Sequence, residues 1–150
     1  MTRILFVCHG NICRSPMAEF VMKELVREKG LEKDFYIASA ATSTEELGNQ
    51  VYPPVRRLLK ARGIDCDAKR SVQIRATDYD KYDYIVCMDR NNLRNIKYII
   101  PSDPQEKISL LMSYIGDARD VADPWYTHDF ETTERDVTAG CQALLKEIIK

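Results

Sequence analysis

The stretch Ile4-Leu5-Phe6-Val7-Cys8-His9-Gly10-Asn11-Ile12-Cys13-Arg14-Ser15-Pro16 decides the reading of this chain. An apolar, β-rich run is followed by a short loop holding Gly and Asn. The loop then meets a helix-start signal, with Ser15 at or near the N-cap and Pro16 at the first helical position. A strand, a tight loop and a helix N-terminus form an anion cradle, because backbone N–H groups and the positive end of the helix dipole point into it. Cys8 opens this loop and Arg14 closes it, with five residues between. Such surroundings favour the thiolate form of a cysteine. Arg14 offers a planar fork for two phosphate oxygens, which Lys does not. A thiolate aimed at a bound phosphate ester is a nucleophile for phosphoryl transfer through phosphocysteine.

Outward from that loop, strand and helix signals alternate. Apolar residues at Ala18, Val21, Met22, Leu25 and Val26 predict a helix over 17–29, closed by Gly30. Residues 35–40 read as a second strand, and 53–62 as a helix with Val55, Leu58 and Leu59 inward and Gly63 beyond its end. Residues 84–88 are a third, wholly apolar strand, followed by a helix through Leu93 and Ile96. Residues 107–111 are a fourth strand, and Val137, Cys141, Leu144, Leu145 and Ile148 mark a closing helix. The expectation is a single domain over 1–150, an α/β fold with an open four-stranded parallel sheet and helices on both faces. Ligands bind at the carboxyl ends of such strands, so Cys8, the Ser39 to Ser43 segment and Asp89 should meet at one edge. Residues 113–129 show no clear periodicity, and long irregular segments are often functional.

Composition sets bounds. The hydrophobic fraction is 45%, the charged fraction 30% and the net charge −1, which fits a globular protein without a nucleic-acid or membrane footprint. No apolar run approaches membrane-spanning length and no signal-peptide pattern opens the chain. Five cysteines, without disulfide or zinc spacing, point to a reducing cytoplasm, with leaderless secretion the remaining route. His9 and His128 lack partners at metal-ligand spacing, so no metal is expected.

The chain resembles the low-molecular-weight protein tyrosine phosphatases. The resemblance rests on Cys8-His9-Gly10-Asn11-Ile12-Cys13-Arg14-Ser15-Pro16 and Ser39-Ala40-Ala41-Thr42-Ser43. Cys87-Met88-Asp89 with Asn92-Leu93, and Asp123-Pro124 with its aromatic neighbours, continue it in the family's order over nearly the whole chain. It implies a phosphotyrosine phosphatase I-like fold of the flavodoxin type and hydrolysis of protein phosphotyrosine and small aryl phosphates. No cofactor is implied, a monomer is expected, and phosphate and vanadate should act as inhibitory oxyanions. Cys8 is the implied nucleophile, and residues 9–14 (His9, Gly10, Asn11, Ile12, Cys13, Arg14) bind phosphate.

Asp123 is the candidate general acid and later the base that activates water. Asp-Pro is also a common turn dipeptide, and Asp120 lies nearby. Pro124 and the aromatic pair Trp125–Tyr126 favour Asp123. Trp125 either contacts substrate or anchors the loop, and it stands where some relatives carry a phosphorylatable tyrosine, leaving Tyr126 for that role. Ser15 is placed to hydrogen-bond the Cys8 sulfur or to cap the helix. Asn11 should adopt a left-handed backbone, with Gly10 allowing close approach. The resemblance makes Ser39 a residue that orders the loop, the alternative being an ordinary strand-end residue. It makes Asp89 an ion-pairing partner of Arg14 or of the loop; the position of Asp89 equally suits a cap of the helix containing Leu93. Cys13 either traps oxidised Cys8 as a disulfide or simply packs. Cys66, Cys87 and Cys141 are expected to pack.

Glu45 stands where many relatives place an aromatic wall, and it either recruits basic residues beside the phosphosite or repels acidic ones. His9, in a place often apolar in relatives, tunes either the pocket wall or its pH response. Ile12 resembles the tyrosine-specific members, whereas arginine phosphatases of the family tend to carry Thr there. Three rivals remain. An arsenate reductase needs a further cysteine pair near strand three, where only Cys87 stands. A phosphate-binding module needs no acid such as Asp123. A phosphoarginine phosphatase is disfavoured by Ile12.

Overall fold

The apolar run Ile4–Val7 lies inside β1 (Thr2–Cys8), an inner strand of the sheet, in a computed structural model that describes residues 1–150. It is flanked by β2 (Phe35–Ala41) on one side and β3 (Tyr84–Cys87) on the other, and β4 (Ile108–Leu110) closes the far edge. The strand order is β2-β1-β3-β4, and every pairing is parallel. A strand covered on both faces must be apolar on both, and β1 is. Ile4 and Phe6 face one layer with Met17, Val21 and Met22 of α1 (Arg14–Glu28) and Val137, Cys141 and Leu144 of α6 (Phe130–Ile149). Leu5 and Val7 face the other layer, with Ile74, Ile96 and Ile100.

Between these elements run α2 (Pro53–Ala61), α3 (Asp78–Lys81), α4 (Arg90–Ile96) and α5 (Pro124–Thr127). Short 3-10 turns occupy Glu32–Asp34 and Leu111–Ile115. The two glycine stops work as anticipated. Gly30 has φ 69°, its N–H returns to the Arg27 carbonyl (3.0 Å), and Leu31 N–H reaches Val26 (2.8 Å). Gly63 (φ 78°) and Ile64 repeat the pattern on Lys60 and Leu59. A left-handed residue after the helix satisfies carbonyls that would otherwise be orphaned.

Helix α1 begins earlier than its apolar spacing suggests. Its first turn is Arg14-Ser15-Pro16, and Cys13 rather than Ser15 stands at the N-cap, without a side-chain bond to the helix. Pro16 is the third helical residue, where its missing N–H still costs nothing because the first-turn donors have no intrahelical partner. The edge strand β4 is shorter than its apolar run because Leu111 already turns into a 3-10 helix. Gly140 lets α6 lie against that turn: a Cβ there would sit 2.5 Å from Leu111 Cγ. No helix is long and apolar enough to cross a membrane.

Candidate active site

Strand β1 ends at Cys8, and the chain loops back before α1, with Asn11 in the left-handed region (φ 58°). Asn tolerates that region better than most residues because its short polar side chain bonds locally. Here the side chain bonds once locally and twice to distant segments. Nδ2 donates to Ser15 Oγ (2.8 Å) and to Ser39 Oγ (2.9 Å), while Oδ1 accepts from Val72 N–H (3.2 Å). The Asn11 amide N–H points at Cys8 Sγ, 3.3 Å away. The Ser15 hydroxyl lies 3.0 Å from the same sulfur. Of its two open roles, Ser15 therefore takes the one at the sulfur and not the cap: it sits inside the first turn and faces Cys8.

Arg14 is 3% exposed and fixed at three points. Nη1 donates to Asp89 Oδ2 (2.7 Å) and to the Val121 carbonyl (2.9 Å), and Nη2 approaches Asp123 Oδ2 at 3.5 Å. Burial opposes its charge, but Cys8, Asp89 and Asp123 together outweigh that and hold the guanidinium above its ordinary value. Asp89 fills both anticipated roles. One oxygen holds Arg14, and the other accepts from Asn92 N–H (2.7 Å) in a reciprocal cap of α4. Asp123 also starts a helix: as N-cap of α5 it accepts from Trp125 N–H (3.0 Å), with Pro124 at the first helical position. Asp120 points elsewhere, accepting from the Arg90 backbone N–H.

These groups line a cavity of about 250 Å³. Cys8, His9, Gly10, Ile12, Cys13 and Arg14 form its floor and inner wall. Glu45, Asp123, Trp125 and Tyr126 stand around the opening. Asn11, Ser15, Ser39 and Asp89 support it from behind. Trp125 serves the anchor role as well as lining the cavity, since its ring lies 5.0 Å from that of Tyr52. Tyr126 is 80% exposed. His9 Nε2 donates to Glu45 Oε2 at 2.9 Å. Cys13 is buried, and burial first, then the nearby Cys8 and Asp123, push its thiol well up against a smaller pull from Arg14. Cys66, Cys87 and Cys141 are buried too, each raised chiefly by burial. No three His, Cys, Asp or Glu side chains converge as a metal site.

Five contributors carry no motif. Beneath the loop, Ser39 Oγ donates to Glu19 Oε1 (2.6 Å), and Lys23 Nζ donates to Glu19 Oε2 (2.6 Å). Lys69 Nζ donates to the Ser39 carbonyl (2.9 Å), with its ammonium pulled below the ordinary lysine value by burial despite the nearby Glu19. Ser71 Oγ donates to the Gly10 carbonyl (2.8 Å). At the rim, Glu46 joins Glu45. The spacing Ser15, Glu19, Lys23, four apart on one helical face, is a signal for the first two of these partners. Lys69, Ser71 and Glu46 offered none.

A parallel α/β sheet with a cysteine–arginine loop at its strand ends narrows the protein to one class. The family model described as low molecular weight phosphotyrosine protein phosphatase matches residues 3–150. The low molecular weight protein-tyrosine-phosphatase YfkJ of Bacillus subtilis is 36% identical over 152 residues, covering all of this chain and 97% of the relative. The YfkJ crystal structure superposes with a TM-score of 0.93 over 99% of this chain and 94% of that one. SP-PTP, a low molecular weight protein tyrosine phosphatase from Streptococcus pyogenes, is 42% identical with a TM-score of 0.89, covering 100% and 95%. DARP, the drosophila arginine phosphatase, is 32% identical with a TM-score of 0.89, covering 100% and 99%. The chain belongs to the low molecular weight phosphotyrosine protein phosphatase family. It is an enzyme of the protein-tyrosine-phosphatase type that acts on phosphoproteins.

Proposed function

We propose that this enzyme hydrolyses protein phosphotyrosine in two steps through a phosphocysteine at Cys8. Arg14 and the loop amides of residues 9–14 hold the phosphate. The Cys8 sulfur attacks phosphorus, the ester P–O bond breaks, and Asp123 gives its proton to the departing phenolic oxygen. Water then attacks the phosphocysteine, Asp123 takes a proton from it, and the sulfur leaves with its electron pair toward the Ser15 hydroxyl and the Asn11 N–H. The observation that carries this is the setting of Cys8 Sγ, 3.3 Å from the Asn11 N–H and 3.0 Å from Ser15 Oγ, in one cavity with Arg14 and Asp123. Inorganic phosphate and vanadate compete for the same cradle.

The test is hydrolysis of p-nitrophenyl phosphate and a phosphotyrosine peptide. Cys8→Ser should abolish turnover, and Asp123→Asn should lower it by about 10²–10⁴-fold. Unchanged turnover by Cys8→Ser rejects the mechanism. Phosphoarginine is the second reading, favoured by the likeness to DARP. Ile12 on the inner wall and the aromatic Trp125 and Tyr126 support a flat phenyl ring instead. A higher kcat/KM on phosphoarginine than on phosphotyrosine would reverse the choice.

Cys13 shares the loop with Cys8 and protects it from irreversible oxidation. Peroxide oxidises the Cys8 sulfur to a sulfenic acid with release of water or hydroxide. The Cys13 sulfur then displaces hydroxide, closing a disulfide. Peroxide inactivation should be reversed by dithiothreitol in the wild type and become irreversible in Cys13→Ser, with peptide mass spectrometry locating the bond.

A further inference from the structure

The cavity carries opposite charges at its two ends. Arg14 lies at the floor, whereas Glu45 and Glu46 stand on the wall at the opening. Neither glutamate has a lysine or arginine partner. Glu45 receives only the His9 ring nitrogen, and Glu46 receives the Asn49 side-chain amide at 2.5 Å. This wall is fastened to the catalytic loop. Thr42 N–H donates to the Cys8 carbonyl (3.0 Å), and Ser43 donates twice to the His9 carbonyl, from N–H (3.1 Å) and from the hydroxyl (2.8 Å). The Glu45 N–H then turns back to Ser43 Oγ at 3.4 Å. Glu46 closes against Gly10, where a Cβ would meet its Cγ at 3.3 Å. Glu45 is thus placed by backbone bonds over the opening, while its side chain stays 69% exposed and that of His9 47%.

A phosphorylated side chain that reaches Cys8 brings its sequence neighbours past this wall. Two carboxylates there disfavour an acidic neighbour and favour a basic one, since like charges repel and a guanidinium matches a carboxylate fork. We propose that Glu45, assisted by Glu46, selects phosphotyrosine flanked by Arg or Lys, and that His9 is the internal donor that such a residue displaces. This rests on the phosphotyrosine reading above. His9 then acts as a competitor for Glu45, holding the carboxylate over the opening when no substrate is present.

The experiment compares kcat/KM on two phosphotyrosine peptides that differ only in Arg or Glu beside the phosphosite. In wild type at low salt the Arg peptide should be favoured about fivefold, the scale of one exposed ion pair, with the ratio shrinking as salt screens it. Glu45→Gln should bring the ratio close to one, Glu45→Lys should invert it, and His9→Ala should raise it. Equal rates on the two peptides in wild type, or a ratio unaltered in Glu45→Gln, overturn the proposal while leaving the phosphatase reading intact. Failure of wild type to hydrolyse either peptide, or a preference for phosphoarginine, removes both together.

Discussion

Cys8 and Glu45 border the same cavity under opposite conditions. Cys8 is 3% exposed, and its sulfur is approached by an amide and a hydroxyl. Behind it, Asn11, Ser39, Glu19, Lys23 and Lys69 form a continuous chain of hydrogen bonds running down through α1 and β2. Glu45 has one side-chain bond and projects toward solvent. The floor is held by many buried bonds, each expensive to leave unmade, and the rim by few that water can replace. Chemistry common to all phosphate esters suits the first setting. Choice among proteins suits the second, where a side chain alters affinity without disturbing the fold.

The most severe way to break this contrast is Arg14→Lys. Charge is kept, but the fork that reaches Asp89, Val121 and Asp123 is lost. Turnover of p-nitrophenyl phosphate should fall about 10²–10³-fold, the scale of removing one transition-state donor. A loss below tenfold would mean that the floor needs only a positive point charge.

A finer test pairs Ser39→Ala with Gly140→Ala. Ser39→Ala removes the hydroxyl between Asn11 and Glu19, leaving buried polar atoms short of a partner at about 1–3 kcal/mol. Gly140→Ala drives a methyl into Leu111 on the far side of the core, at a similar 1–3 kcal/mol. Both should lower the thermal midpoint. Only Ser39→Ala should also reduce kcat in the folded enzyme, because only it loosens Asn11 against Cys8 and Ser15. Equal kcat losses would make the chain beneath the loop a matter of stability alone.

The same division governs what the amino-acid sequence discloses. β1, the loop and the parallel order follow from apolar runs and from Gly30 and Gly63, whose requirements are local. Ser15 shows how a local rule loses. Ser before Pro signals an N-cap, yet the hydroxyl faces the Cys8 sulfur and the helix starts one residue before it. Asp89 had two readings and satisfies both, since a carboxylate has two oxygens, and Asp123 divides its oxygens in the same way between the Trp125 N–H and Arg14. Ser71 reaches the loop at Gly10, and Lys69 the Ser39 carbonyl beneath it, from a segment without periodicity that lies 61 and 30 residues from those partners, and only folding reveals them. Within that segment, α3 (Asp78–Lys81) is too short to leave a repeating pattern.

Trp125 lies between the two settings, and its removal should have the smallest effect. Its ring is half exposed, packs on Tyr52 at 5.0 Å and borders the opening. The bond that orients Asp123 comes from the Trp125 backbone N–H, which Trp125→Ala retains. The Asp123 carboxyl should therefore stay in place while an aromatic wall disappears. An aromatic contact contributes about 0.5–1.5 kcal/mol, so KM for a phosphotyrosine peptide should rise about two- to tenfold with kcat nearly constant. A fall in kcat comparable to that of Asp123→Asn would show instead that the ring holds the short helix α5 in position. Trp125 would then be part of the floor's machinery, and the boundary between a rigid centre and a selective edge would have to be drawn further out.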